Sequence, residues 1–403
     1  MSTVAPSSQE VQRPQRTIGP LTWLRENLFN TWYNSLITLL ILWLLLRTVP
    51  AFAQWLFSAN WEPILTRPVL YFVGQYPVAE LWRVGVGVGL ISFFFGLSWG
   101  TWGGPVRTFA IALMAGYAVV ALIPVSLETI GLTARLFMVA NIGLVIAGLG
   151  ASRTPLGQGR WVLIGWIVIF FLFILLLRGF EGTPLELVST GRWGGLMLNL
   201  MVAAVGIVAS FPLGVLLALG RRSNLPVVRL FSTLFIELVR GVPLITILFM
   251  GSLLLPLFLP EDVRIDRVIR AVIGITLFSA AYMAENVRGG LQAIPEGQYE
   301  AARAIGLNAP LTTLLIILPQ ALRLVIPAIV GQFIALFKDT TLLIIVGINE
   351  ILGIGKSIVL GNPEWVGAQI EVYLFIAALF WVFTYAMSYS SRRLERALGV
   401  GER

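Results

Sequence analysis

The chain contains no cysteine and no histidine, and only 12% of its 403 residues are charged. The first absence excludes disulfides, thiol nucleophiles and thiolate metal ligands. The second excludes imidazole-based acid–base chemistry and histidine metal sites. An ordinary soluble domain carries about twice this share of charge, roughly 25%. Acids are scarcer than bases, 20 against 28, for a formal net charge of +8. No basic stripe interleaved with aromatics accompanies that excess, so it points to topology and a lipid surface and not to nucleic acid. What the chain has in abundance is apolar surface: 57% of residues are hydrophobic. The composition is that of an all-α integral membrane protein.

About twenty apolar residues in a helix cross the hydrocarbon layer. Charge-free windows of suitable length lie at 27–46, 84–106, 108–127, 136–152, 161–177, 193–220, 241–260 and 372–391. Two further spans are implied at 268–288, with Arg270 and Glu285 near its ends, and at 315–337, with Arg323 inside it. The expectation is about ten transmembrane helices. Positive residues are retained on the cytoplasmic side. An inside N-terminus places Arg13, Arg16, Arg25, Arg107, Arg153, Arg160, Arg221, Arg222, Arg288, Arg303, Arg392 and Arg393 there, and both termini with them. Leu36 to Leu46 followed by Pro50-Ala51-Phe52-Ala53 has the small-x-small look of a cleavage site. More than thirty residues precede it and the uncharged window is long, which favours an uncleaved first span. Gly85, Gly87, Gly89, Gly96 and Gly100 in the second window suit close helix packing in lipid.

Residues 300–319 read EAARAIGLNAPLTTLLIILP. Pro295 and Glu296 favour a helix start, the acid lying at the positive end of the dipole. Gly306 is a natural stop, and Asn308 with Pro310 can open the next helix. The pattern Glu300-Ala301-Ala302, three residues, Gly306, nine residues, Ile316, one residue, Leu318-Pro319 resembles the EAA loop of bacterial ABC importer permeases. That resemblance implies a cytoplasmic loop docking onto an ATPase. The arginine rule independently places it on the same side.

Further stretches match the polar amino acid (histidine/glutamine-type) family: FIELVRGVPLITILF (235–249), AYMAENVRGGLQAIPEGQYEAA (281–302), LPQALRLVIPAIVGQFIALFKDTTL (318–342) and RRLERAL (392–398). The chain thus resembles an ABC importer permease with a type I core in its C-terminal half. Its hydrophobic extension at 30–180 resembles a membrane subunit of the general L-amino acid permease and the cyanobacterial neutral amino acid permease. The expected organisation is a polar cytoplasmic tail at 1–26, an extension with about five spans at 27–190, the permease domain at 191–396 and a tail at 397–403.

Gly353-Ile354-Gly355-Lys356-Ser357 ends like a phosphate-binding loop, but Glu350 stands where the first glycine is required. The chain is therefore expected to be no enzyme and to carry no catalytic residue, metal or cofactor, with ATP bound by a partner subunit. The resemblance implies as partners an ABC ATPase dimer, a homologous permease subunit (a hetero-pair in preference to a homodimer) and a periplasmic amino-acid-binding protein. It also implies the bacterial inner membrane as location. The rival reading, a secondary amino acid transporter without an ATPase, would show repeated halves with matching broken helices; no such repeat is visible.

Charges inside core spans carry functional weight, because an ion in hydrocarbon must be paired or wet. Glu237 and Arg240 are three apart and can pair, either as a structural link or as a gate; Pro243 follows and would open the backbone. Glu285 and Arg288 are likewise three apart and lead into the EAA loop. Lys338-Asp339-Thr340 follows a proline-bearing span. Asp339 can accept the ammonium of an amino acid while Thr340 and Thr341 serve its carboxylate, or Lys338 and Asp339 can be an interfacial anchor.

Overall fold

A computed structural model describes residues 19–122, 131–260, 262–397 and 399. Most of the tail expected at 1–26, part of the window 108–127, and residues 400–403 lie outside the described residues. The described chain is helical; its single bridge of sheet type joins Gly195 and Glu350.

The chain divides into two units, 1–60 and 61–403. In the first, α1 (Pro20–Asn27) precedes α2 (Trp32–Ser58). The Thr31 side chain accepts from the Asn34 N–H to cap α2, which runs unbroken through Ala51-Phe52-Ala53. None of its residues is buried within the chain.

The second unit opens with α3 (Pro68–Val73) and the helices α4 (Leu81–Trp102), α5 (Gly104–Leu122), α6 (Leu132–Ala151) and α7 (Gly159–Arg178). Glycines let α4 and α6 approach to backbone contact: a Cβ at Gly96 would strike the Val145 carbonyl, and one at Gly148 the Phe93 carbonyl. Hydrogen bonds Ser92–Asn141 (2.9 Å), Ser92–Tyr117 (2.8 Å) and Trp166–Ser98 (2.9 Å) join α4 to α6, α5 and α7 in turn. Without water as competitor, close packing and such bonds are what hold helices together in lipid. The packing role expected of Gly96 and Gly100 is what the structure contains, the latter closing on Ser152.

The remaining elements are α8 (Gly195–Arg221), α9 (Pro226–Arg240), α10 (Leu244–Phe249), α11 (Arg267–Gln292), α12 (Glu296–Ala304), α13 (Ala309–Leu324), α14 (Ile326–Asp339), α15 (Ile351–Leu360) and α16 (Gln369–Ala397). Helices α8 and α11 form the central pair, with Gly214 seated on the Met283 side chain. Two apolar clusters lie along them. One gathers Tyr71, Leu198, Ile351 and Val372 around the Gly195 end of α8. The other gathers Ile236, Met283, Val287, Ile317 and Ala321 near the Gln292 end of α11.

Among the described residues, eight helices are long and apolar enough to cross a membrane. One further pair is bent, either a broken ninth span or a re-entrant segment: α9 and Leu244–Phe258 meet at 103° across Gly241–Pro243. Window 108–127 yields a shorter apolar helix, Val106–Leu122, before the described residues stop. The window 315–337 was misregistered. The chain breaks at Val325, and the crossing is Ile326–Val346, with α13 a separate shorter helix. Pro327 has no N–H to offer the carbonyl of Arg323, and its ring crowds that carbonyl, so a continuous helix fails there. Within α13, Thr312–Ile317 is wound as a π-helix, a second irregularity beside the break at Val325.

Candidate functional site

Helix α12 carries Glu300, Ala301 and Ala302. Pro295, expected as its first residue, is instead its N-cap, and Glu296 opens the first turn. Its end is a Schellman motif: Gly306 has φ +84°, the Leu307 N–H donates to the Ala302 carbonyl (3.1 Å) and the Gly306 N–H to that of Arg303 (3.0 Å). Asn308 then caps α13 by accepting from the Leu311 N–H (3.0 Å). Ala302 is buried, while Glu300, Ala301, Arg303, Ala304 and Ile305 are exposed. Ile305 is 74% exposed, an apolar side chain left uncovered by the described residues. Ile316 and Leu318 are half-buried in α13, and Pro319 is exposed. A cavity of about 680 Å³ opens beside α12, lined by Arg222, Tyr299, Glu300, Arg303 and Thr312 among others. Arg222 stands over the Tyr299 ring (6.0 Å) and donates to the Leu291 carbonyl (3.0 Å), tying the end of α8 to the start of α12.

Behind this surface lies a charge cluster. Glu285 on α11 pairs with Arg221 of α8 (2.7 Å), Arg288 of its own helix (2.8 Å) and Arg240 at the end of α9 (3.5 Å). Arg240 also stands over the Tyr282 ring (5.4 Å). The expected Glu285–Arg288 pair is present, but the expected Glu237–Arg240 pair is not. Glu237 pairs instead with Arg221 (2.8 Å). Both residues sit in the last turn of α9, and each finds a partner on a neighbouring helix. An i,i+3 pair on one helix contributes only about 0.2–0.5 kcal/mol, too little to hold them together against inter-helix partners. Arg221, read from sequence only as a topology signal, is the bridge between the two glutamates.

At the far end of α8 the polar residues differ. Asp339 closes α14, is only partly exposed and makes no ion pair or side-chain hydrogen bond among the described residues. Lys338 is exposed and makes no ion pair with it. Thr340 is fully buried. Its hydroxyl donates to the Phe337 carbonyl (2.6 Å) and accepts from the Asn199 amide (2.9 Å), so it is closed to a ligand in this conformation. Thr341 donates to the Lys338 carbonyl.

Asn199 is the hub that the sequence reading passed over. Its amide also donates to Glu350 (3.1 Å), and its carbonyl accepts from the Ile351 N–H (3.0 Å). Glu350 caps α15, accepting from the N–H groups of Leu352 and Gly353 (2.9 Å each). A lone asparagine in an apolar run and a glutamate opening an apolar helix were the available signals; sequence does not say that they meet across 151 residues. Burial pushes the Glu350 carboxyl up to about 7, against the pull of the Leu352 N–H, the Asn199 amide and the Gly353 N–H. The stability this group contributes is therefore fully present below about pH 4.5, declines as pH rises toward about 7, and is flat above. Thermal unfolding of the purified protein across that window should show the slope, and Glu350→Gln should flatten it. An unchanged slope in the variant would assign it elsewhere.

The family described as binding-protein-dependent transport system inner membrane component matches residues 210–400. The chain is 38% identical to the inner membrane amino-acid ABC transporter permease protein YhdY of Escherichia coli K12, with 94% of each chain covered. It is 36% identical to the glutamate/glutamine/aspartate/asparagine transport system permease protein BztC of Rhodobacter capsulatus, over 96% of this chain and 95% of that one. The probable glutamine ABC transporter permease protein GlnP of Bacillus subtilis is 32% identical over 50% of this chain and 91% of its own. The first two alignments include the extension, whereas the third covers only about half of the chain. An ATP-driven importer displaces the secondary-transporter reading: the chain belongs to the amino-acid ABC transporter permeases and is a multi-pass membrane subunit, not an enzyme.

Proposed function

We propose that α12 is the coupling helix of this permease, received by a cleft on a separate ATPase subunit, and that a path for polar amino acids runs past Asp339. The observation that carries the first half is the exposed row Glu300, Ala301, Ala304 and Ile305 on a helix whose end is fixed by Gly306. Small side chains admit close approach, and an apolar residue left bare awaits a partner. Ile316, Leu318 and Pro319 serve by setting the course of α13 beneath it. Glu237 and Arg240 act in the charge cluster, as links and not as ligands. Positive residues on the same side as α12 support a cytoplasmic location for that face and both termini. Reporter fusions at Arg25 and Arg303 giving opposite signals would overturn the orientation. A second, homologous permease subunit completes the path, and a periplasmic binding protein delivers to the opposite face.

Asp339 carries the second half. A carboxylate in a membrane crossing without a protein partner needs water or a ligand cation, and the ammonium group of an amino acid is such a cation. The relatives' names make glutamate, glutamine, aspartate and asparagine the first candidates. Lys338 flanks the path, and Thr340 supports it through Asn199. Asp339→Asn keeps the shape and removes the charge. A charged hydrogen bond contributes roughly 1.5–3 kcal/mol, so apparent affinity in uptake should fall about tenfold or more. Unchanged uptake kinetics, in a complex that still hydrolyses ATP, would remove Asp339 from the path.

A further inference from the structure

A second cavity, of about 200 Å³, lies where the segment before α4 meets α15. This is the end of the α8–α11 pair opposite α12: the Gly195 N–H of α8 donates to the Asn349 carbonyl just before α15, whereas Arg221 at the other end of α8 joins the cluster below the coupling helix. The floor is apolar, formed by Ile354 and Ile358 of α15 and by Trp365, all buried. The rim is polar, with Arg67 and Gln75 from one side and Ser357 and Asn362 from the other.

The hydrogen-bonding capacity of this lining is lopsided. Trp365 is 6% exposed, yet its indole N–H has no acceptor among the described residues. A buried donor left unmade is costly, and one lining a cavity marks the place of a missing acceptor. Arg67 makes no ion pair among the described residues; its guanidinium stands 5.9 Å from the Trp365 ring, which holds it at the mouth. Asn362 uses its carbonyl oxygen to accept from the Glu364 N–H, leaving the amide N–H groups free. The Gln75 amide is likewise uncommitted. Ser357 spends its proton on the Gly353 carbonyl and can only accept, as the Gln75 amide oxygen also can. None of the lining residues is acidic.

We propose that this cavity binds the carboxylate of a molecule of amino-acid size, held by the Arg67 guanidinium and the Trp365 N–H together. A planar carboxylate matches the guanidinium fork, and its second oxygen can take the indole proton. The volume falls below the roughly 300–1,000 Å³ of pockets for drug-sized ligands, which suits a ligand of this size. Because Arg67 and Gln75 come from outside the matched permease region and α15 from inside it, the pocket gives the extension a ligand-binding part in the outer face.

The site is separate from Asp339, and its test is chosen accordingly. Binding of radiolabelled L-glutamate to the purified full-length chain in lipid nanodiscs would be measured for wild type, Asp339→Asn, Arg67→Gln and Trp365→Phe. Two saturable components are expected in wild type: Asp339→Asn weakens the one on the path and spares the other, which Arg67→Gln weakens at least tenfold and Trp365→Phe several-fold. Acetate and L-glutamine should compete for the component held by Arg67, since each offers a carboxylate; methylamine should not. Unfolding temperature checks that each variant is intact, and Trp365→Phe retains the ring should Arg67→Gln misfold. Absence of saturable binding, or binding indifferent to both pocket variants, would overturn the proposal. Loss of all binding in Asp339→Asn alone would assign the ligand to the path and overturn it too.

Discussion

Gly306→Pro is expected to reduce uptake at least a hundredfold while the subunit remains in the membrane. The residue holds φ +84° and its N–H closes the end of α12 on the Arg303 carbonyl. Proline fixes φ near −65°, supplies no N–H and disfavours the helical region for Ile305 before it. The last turn of α12 therefore unwinds, and with it go the positions of Ala304 and Ile305 on the proposed docking face. Gly306→Ala is the graded control. It keeps the N–H and faces a left-handed penalty of about 1–2 kcal/mol, so partial coupling should survive. The measurement is uptake beside substrate-stimulated ATP hydrolysis in the assembled complex. Wild-type coupling in the proline variant would mean that the end of α12 does not set its docking geometry.

A second large effect is expected from Glu285→Gln. This carboxylate is the common partner of Arg221, Arg240 and Arg288, and its side chain is only 15% exposed. Breaking a buried pair by removing one partner costs about 3–5 kcal/mol. The arginines here are 26–33% exposed, so water recovers part of that and the lower end, roughly 3 kcal/mol, is expected. Three guanidinium groups would then repel one another where α8, α9 and α11 converge, a short way from α12. Both the unfolding temperature of the complex and its uptake rate should fall. Adding Arg288→Gln should restore part of the stability, because one repelling charge leaves with it; a double variant worse by the full sum of the singles would contradict a shared cluster.

Helix α12 was legible because everything that shapes it is local. Proline, first-turn glutamate, stop glycine and capping asparagine act within a turn or two of themselves, and each does in the structure what its chemistry dictates. The break at Val325 was half legible. Pro327 announced an irregular helix, but hydropathy averages over a window and ran the crossing through the break. The charge partners were not legible at all. Spacing proposes Glu237 with Arg240, and only the approach of α8 shows that Arg221 takes Glu237 while Arg240 goes to Glu285.

By itself the sequence determined that the chain is helical and membrane-embedded, that it has neither thiol nor imidazole chemistry, and where α12 starts and stops. These follow from burial free energy summed over windows and from backbone preferences within single turns. The tertiary structure decided which charges meet, that Thr340 is closed off by Asn199 and the Phe337 carbonyl, and that Arg67 reaches Trp365 some three hundred residues later. Those outcomes depend on how helices cross and how closely glycines let them approach. An ion pair or a hydrogen bond is decided over ångströms between segments far apart in the chain, and composition and periodicity do not carry that distance.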